Sequence, residues 1–212
     1  MARPAGGRTL TRAAVVDAAA ALVDERGPEG LTLAELAKRL GVRSPSLYNH
    51  VDGLEGLVRE LRLRALSDLQ QELARAAVGR SGRDALAALC RVYRAFVLEH
   101  PGLYGLTVRS TEVEDAEVRQ AGAGVVEVVL AVLRGYGLEG DDAVHATRLL
   151  RSTLHGFAVL EATGGFGLEL PVEESFELAV ELFHLSLVTL AERAGGQARA
   201  GTRWPGSGEP LA

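Results

Sequence analysis

Residues 32–51 read TLAELAKRLGVRSPSLYNHV, and the reading of this stretch decides the fold. Thr32 is followed three residues later by Glu35, the spacing of a capping box, so a helix starts there. It is short and ends at Gly41. Val42 and Arg43 then lead to Ser44 as an N-cap and to Pro45 at the first helical position, where a missing N–H costs nothing. A second helix is therefore predicted from Ser44 to about Val51. Two short helices joined by a tight turn containing glycine form a helix-turn-helix, with the second as the reading helix. Core packing accounts for Leu36, Ala37, Leu40, Val42 and Leu47. It does not account for Ser46, Tyr48, Asn49 and His50, which are polar or amphipathic on a segment with little to bury. A solvated helix-helix hairpin is the alternative at this point.

Outward from this stretch the helical period continues in both directions. Upstream, Thr11 is an N-cap for a helix in which Val15, Ala18, Ala19, Leu22 and Val23 recur at three and four residues before Gly27-Pro28-Glu29-Gly30 stops it. Residues 1–10, with Arg3 and Arg8 among Gly and Pro, are expected to be a flexible arm. Downstream, a long helix is predicted from Leu54 to about Val78, then helices over Arg83–His100, Leu103–Thr107, Asp115–Tyr136, Asp141–Thr163 and Val172–Arg193. A charged loop is expected over Ser110–Glu117. The stretch 195–212, rich in Gly and Pro and holding Trp204, is expected to be a disordered tail. The fold class is all-α, divided as an arm (1–10), a three-helix helix-turn-helix domain (11–56), a helical body (57–194) and the tail.

Composition agrees with an all-α chain of 212 residues. Hydrophobic residues make up 47% and aromatics 5%, with no isoleucine, which disfavours a β-sandwich. The net charge of −5 argues against nucleic acid only as an average. Residues 1–64 carry ten basic against eight acidic side chains, +2, and the remainder 13 against 20, −7. A basic front on an acidic remainder is compatible with DNA binding through the front alone. One cysteine, Cys90, excludes an internal disulfide and suits a reducing compartment; inside AALCRV it reads as a small buried hydrophobe, or else a redox switch. With no apolar leader and no run long enough to span a membrane, a soluble cytoplasmic protein is expected. No metal site and no cofactor are expected, because His50, His100, His145, His155 and His184 are far apart. No catalytic residues are expected either: nucleophile signatures are missing, and pairs such as Asp24-Glu25 and Glu173-Glu174 sit where solvated helix ends would put them. The loop Gly164-Gly165-Phe166-Gly167 lacks the context of a phosphate cradle and reads as a turn.

From Thr11 through RGPEGLTLAELAKRLGVRSPSLYNHVDGLEGLV to Val58 the chain resembles the DNA-binding region of the TetR family of bacterial transcriptional regulators. Gly41-Val42 at the turn, Leu47-Tyr48 within the third helix and His50-Val51 at its close carry the resemblance. It departs from the family at Asp52-Gly53-Leu54-Glu55, where members often carry Lys. The segment Leu149–Glu181 is similar to the carboxy-terminal domain of a subgroup with an aromatic-His-Gly motif, although Leu154 stands before His155-Gly156 where Trp is usual. The candidate DNA-binding set is Thr32, Arg43, Ser44, Pro45, Ser46, Tyr48, Asn49 and His50. Thr32, Tyr48 and His50 have donors for phosphate, whereas Arg43 can grip guanine and Asn49 adenine. The competing readings are a packed ring for Tyr48 and a solvated turn for Arg43.

Two helices of the body are apolar around more than one stripe. In Phe176–Leu190 only Glu173, Glu177, Glu181 and His184 form a narrow polar edge, and in Asp141–Thr163 a broad set stands beside His145, Arg148, Ser152 and His155. Two such helices from each of two chains make a four-helix interface, with His155, Leu160, Leu178 and Leu185 as candidate homodimer residues. A central buried helix is the competing account. The resemblance implies an effector pocket among the central helices, for which the candidates are Phe96, Tyr104, Val126, Leu130, Leu150, Leu154 and Phe157. That mostly aliphatic lining suits a small apolar molecule. The expected function is a ligand-responsive repressor that binds a palindromic double-stranded operator as a dimer. The rivals are an activator or ligand-independent regulator, and a helical binding protein or enzyme with a vestigial helix-turn-helix.

Overall fold

The computed structural model describes residues 10–108 and 115–200, the side chains of 195–200 excepted. Nearly all of the expected arm, most of the Ser110–Glu117 loop and residues 201–212 with Trp204 lie outside the described residues. Among the described residues are eight α-helices: α1 (Arg12–Arg26), α2 (Leu33–Leu40), α3 (Gly53–Ala77), α4 (Gly82–Glu99), α5 (Pro101–Val108), α6 (Ala116–Arg134), α7 (Gly140–Ala162) and α8 (Val172–Ala200). Short 3-10 helices occupy Pro28–Gly30 and Ser44–Asn49, and no strand occurs among the described residues.

Local signals set the first two helices. The Thr11 hydroxyl accepts from the Ala14 N–H at 3.2 Å and the Thr32 hydroxyl from the Glu35 N–H at 3.1 Å. Each cap satisfies one donor that a helix start leaves open, worth about 1 kcal/mol. Gly41 closes α2 in the left-handed region (φ 68°), and the Val42 N–H then reaches the Ala37 carbonyl at 3.0 Å. A side chain at that φ would be strained, so glycine permits the tight turn.

The reading segment differs from expectation in kind. An α-helix from Ser44 to about Val51 was expected, but Ser44–Asn49 is a 3-10 helix with Arg43 at the cap position. Its bonds run three residues back, Ser46 N–H to Arg43 carbonyl at 2.9 Å and His50 N–H to Leu47 carbonyl at 2.8 Å. Pro45 donates nothing and Gly53 turns the chain at φ 72° soon after, leaving only six residues, a length typical of 3-10 pieces. Leu47 alone is fully buried within it. α8 also departs from expectation, running to Ala200 rather than ending near Arg193. Gly195 and Gly196 weaken the helix by about 1 kcal/mol each relative to alanine, but no turn follows them before Ala200.

By backbone compactness the chain gathers into two units, Met1–Glu72 with Ala95–Val125, and Leu73–Arg94 with Val126–Ala212. The first unit buries Val15, Ala19, Leu22 and Val23 of α1 with Leu36, Leu47, Leu57, Leu61, Phe96 and Tyr104. The second buries Leu86, Leu89, Cys90, Leu133, Leu150, Leu154, Ala158, Phe176 and Val180. Helices α3, α4 and α6 contribute residues to both.

Candidate nucleic-acid interface

In the first unit, α1 is held by polar contacts on several sides. Arg12 donates to Glu60 of α3 at 3.0 Å and Arg64 of α3 to Asp17 at 2.5 Å. Arg39 of α2 makes a two-pronged pair with Glu25 at 2.6 and 2.7 Å, and Arg26 reaches Glu35 at 2.9 Å. The Arg39 hydrogen bonds hold the Glu25 carboxyl below the usual carboxylate range. Exposed pairs of this kind contribute little singly. Their value here is orientation, because they fix α2 and the segment after it against α1.

Asp24 was expected to be a solvated helix end and is not. Its carboxylate accepts from the Leu103 N–H at 2.8 Å and lies 2.9 Å from His100 Nδ1. The start of α5 is thereby docked on the end of α1. Gly102 makes this possible, since a Cβ there would stand 2.0 Å from the Val23 carbonyl oxygen.

On this frame Thr32, Arg43, Pro45, Tyr48 and Asn49 are exposed, while Ser44, Ser46 and His50 are half-buried. Tyr48 is 62% exposed, so its ring is not packed over the helix pair. The segment thus holds itself by Leu47 and turns Pro45, Tyr48 and Asn49 outward, with Ser44, Ser46 and His50 partly accessible. That distribution supplies hydroxyl, amide, imidazole and guanidinium groups able to meet phosphates and base edges.

The second unit carries an ion-paired seam along the polar edge of α8. Glu173, Glu177 and Glu181 of α8, read as a narrow polar edge, face α4: Arg94 pairs with Glu173, which was expected at a solvated helix end, Arg91 with Glu177 at 2.6 Å, and Arg83 with Glu181 at 2.8 Å. Arg94 also pairs with Glu161 of α7 at 2.6 Å, and its guanidinium lies 4.6 Å from the centre of the Phe176 ring. His184 Nδ1 lies 2.9 Å from the Tyr136 hydroxyl, whose pKa burial pushes up to about 12. The opposite side of α8 is apolar and uncovered: Leu178, Leu182 and Leu185 are exposed, as are Val144, Leu149 and Leu160 of α7. The proposed interface residues Leu160, Leu178 and Leu185 lie in this set, and His155 is half-buried. Sequence reasoning did not single out Leu149 and Leu182.

The candidate pocket residues are distributed over both units. Phe96 and Tyr104 are buried in the first; in the second Leu150 and Leu154 are buried, and Val126, Leu130 and Phe157 half-buried. Leu154 and Phe157 meet at a cavity of about 10 Å³ that Cys90, Phe176, Val180 and Phe183 also line. Burial there pushes the Cys90 thiol up to about 12. Native protein at neutral pH should therefore leave a thiol-reactive dye uncoloured and react fully once denatured; rapid labelling of folded protein would contradict the buried placement. Among the described residues no group of three or more His, Cys, Asp or Glu could hold a metal ion, and no helix is long and apolar enough to cross a membrane.

Residues 15–61 match the family profile of bacterial regulatory proteins of the tetR family, and residues 86–183 match that of the tetracyclin repressor-like C-terminal domain. The chain is 41% identical to the uncharacterized HTH-type transcriptional regulator Rv0681 of Mycobacterium tuberculosis, over 77% of this chain and 74% of that one. It is 37% identical to the uncharacterized HTH-type transcriptional regulator YobS of Bacillus subtilis, over 82% and 91%. Its fold is similar to that of a protein of unknown function from Rhodococcus sp. RHA1, with TM-score 0.71 and 24% identity over 86% of this chain and 97% of that one. With both profiles matched in order and relatives of this identity matched over 74% and 91% of their length, the chain belongs to the TetR family of transcriptional regulators, which are not enzymes.

Proposed function

We propose that this regulator is a repressor that binds a two-fold symmetric operator as a homodimer and releases it when a small apolar molecule binds the helical body. The observation that carries the reading is the set of uncovered apolar side chains on α7 and α8, with Leu149, Leu160, Leu178, Leu182 and Leu185 exposed. Large apolar side chains left uncovered on neighbouring helices in this number support an interaction surface. A second copy presenting the same helices covers it symmetrically, and two reading segments then address two half-sites. Thr32, Arg43, Ser44, Pro45, Ser46, Tyr48, Asn49 and His50 form the proposed DNA surface. The effector reading draws support from a wholly apolar cavity beside Leu154 and Phe157. At about 10 Å³ it has room for about one water, so an effector must part these side chains, and that displacement is the change a ligand can couple to release.

Selection from a random duplex pool tests the reading. It should return a palindrome whose half-site centres are about 34–36 Å apart or a multiple of this. Tyr48→Phe and His50→Ala should weaken binding on all sequences alike, while Arg43→Ala and Asn49→Ala should also relax base preference by about 1–3 kcal/mol per lost contact. Four folded variants that bind like wild type would sink the DNA-surface assignment.

A further inference from the structure

Resting on the effector reading, we propose that Phe166, in the connection between α7 and α8, is the gate through which an uncharged, ring-bearing molecule enters the helical body. Three phenyl rings run from solvent to the apolar cavity. Phe166 is 37% exposed, and its ring centre lies 4.8 Å from that of half-buried Phe157. The Phe157 ring in turn lies 5.3 Å from that of the fully buried Phe176. Phe157 and Phe176 line the cavity, and Phe166 covers Phe157 from the solvent side.

The connection is fixed at its ends and loose between them. At the α7 end Gly164 turns at φ 71°, and the Gly165 N–H reaches the Leu160 carbonyl at 2.6 Å. Across the neck Arg94 of α4 joins both helices, pairing with Glu161 of α7 at 2.6 Å and with Glu173 of α8. Its side chain is only 13% exposed. Between these anchors residues 166–170 make no backbone hydrogen bond to any described residue, and Leu168 and Leu170 are exposed. A segment held in this way opens locally without unfolding the body, and the ring of Phe166 on Phe157 is what keeps it shut.

The same geometry sets the chemistry of the visitor. Beyond the gate stand Leu154, Phe157, Phe176, Val180 and Phe183, whose side chains offer no hydrogen bond. They suit an apolar molecule with a planar ring that takes the place of the Phe166 ring on Phe157. At the neck two carboxylates face one guanidinium, so an anion is repelled there. The place for a cation over Phe176 is already taken by Arg94, 4.6 Å from the ring centre.

Cys90 lines the same cavity and reports on the gate. In the full chain its modification by N-ethylmaleimide should be about tenfold faster in Phe166→Ala than in wild type, at an unchanged melting temperature. Phe166→Tyr keeps the ring and Leu168→Ala leaves it in place, so both should react at the wild-type rate. A wild-type rate in Phe166→Ala overturns the gate, and so does an equal acceleration in Leu168→Ala. Phenylnaphthylamine, which is uncharged, should bind the wild-type chain and shield Cys90, whereas the anionic anilinonaphthalene sulfonate at the same concentration should not. Equal shielding by the two overturns the ligand class. If neither probe shields Cys90 in wild type or in Phe166→Ala, the effector reading beneath the proposal falls, whatever Phe166 does to the rate.

Discussion

Gly102→Ala is expected to destabilise the protein by about 3–5 kcal/mol, lowering the melting temperature by roughly 10 °C, and to abolish operator retention. The new Cβ would lie 2.0 Å from the Val23 carbonyl oxygen, 2.5 Å from its carbon and 2.9 Å from the Asp24 nitrogen. All three are backbone atoms in an α-helix and cannot rotate aside, so α5 must retreat from α1. Retreat breaks the bond from the Leu103 N–H to Asp24 and parts Asp24 from His100. It leaves a carboxylate and an amide poorly satisfied in a part-buried place, an additional cost of about 1–3 kcal/mol. Because α1 also orients α2 through Glu25–Arg39 and Arg26–Glu35, the disturbance reaches the reading segment within the same unit. Gly122→Ala is the control: nothing stands within 4 Å of a Cβ there, and alanine in a helix should be neutral or stabilising by about 0.5–1 kcal/mol. Thermal melts of the two variants decide the matter, and a Gly102→Ala melt matching wild type would show that the close approach is not real.

What could be read from the sequence depended on how local its cause was. Caps and glycine stops act within a turn of chain, so Thr11, Thr32 and Gly41 placed the ends of α1 and α2 correctly. The helix type at Ser44–Asn49 was not legible, because cap and proline signals do not distinguish a 3-10 segment from an α-helix when only six residues are available. Long-range polar partners were invisible for a different reason. Glu173, Glu177 and Glu181 look like no more than a narrow polar edge on α8 alone, and only the packing of α4 brings Arg94, Arg91 and Arg83 opposite them. Asp24 meets His100 across 76 residues of sequence, and nothing in its neighbours announces that. The breadth of the apolar sets on α7 and α8 did signal an excess of apolar surface. It could not say which side chains face outward, so Leu149 and Leu182 were passed over while Leu160, Leu178 and Leu185 were chosen.

That outward face sets the second large effect. Leu185→Asp, and separately Leu149→Asp, should convert the proposed homodimer to folded monomer at micromolar concentration. Leu149 is 64% exposed and Leu185 53% exposed in the single chain, so a carboxylate at either position is solvated in the monomer and costs its fold little. In a symmetric dimer each substitution enters the interface twice. Every copy removes a leucine whose burial is worth about 1.5–3 kcal/mol and places a charge against apolar partners. Two copies at roughly 2–3 kcal/mol each amount to a loss of roughly 10³-fold or more in the dimerisation constant. Operator affinity should fall with it, since a monomer presents one reading segment and forfeits the gain from engaging two half-sites together. Leu154→Asp supplies the contrast: that side chain is only 5% exposed and should unfold the body rather than merely part the subunits. Sedimentation or light scattering alongside circular dichroism separates these outcomes. If Leu185→Asp and Leu149→Asp both remain dimers with native spectra, the subunits meet through some other face, and the apolar side of α7 and α8 needs a different partner.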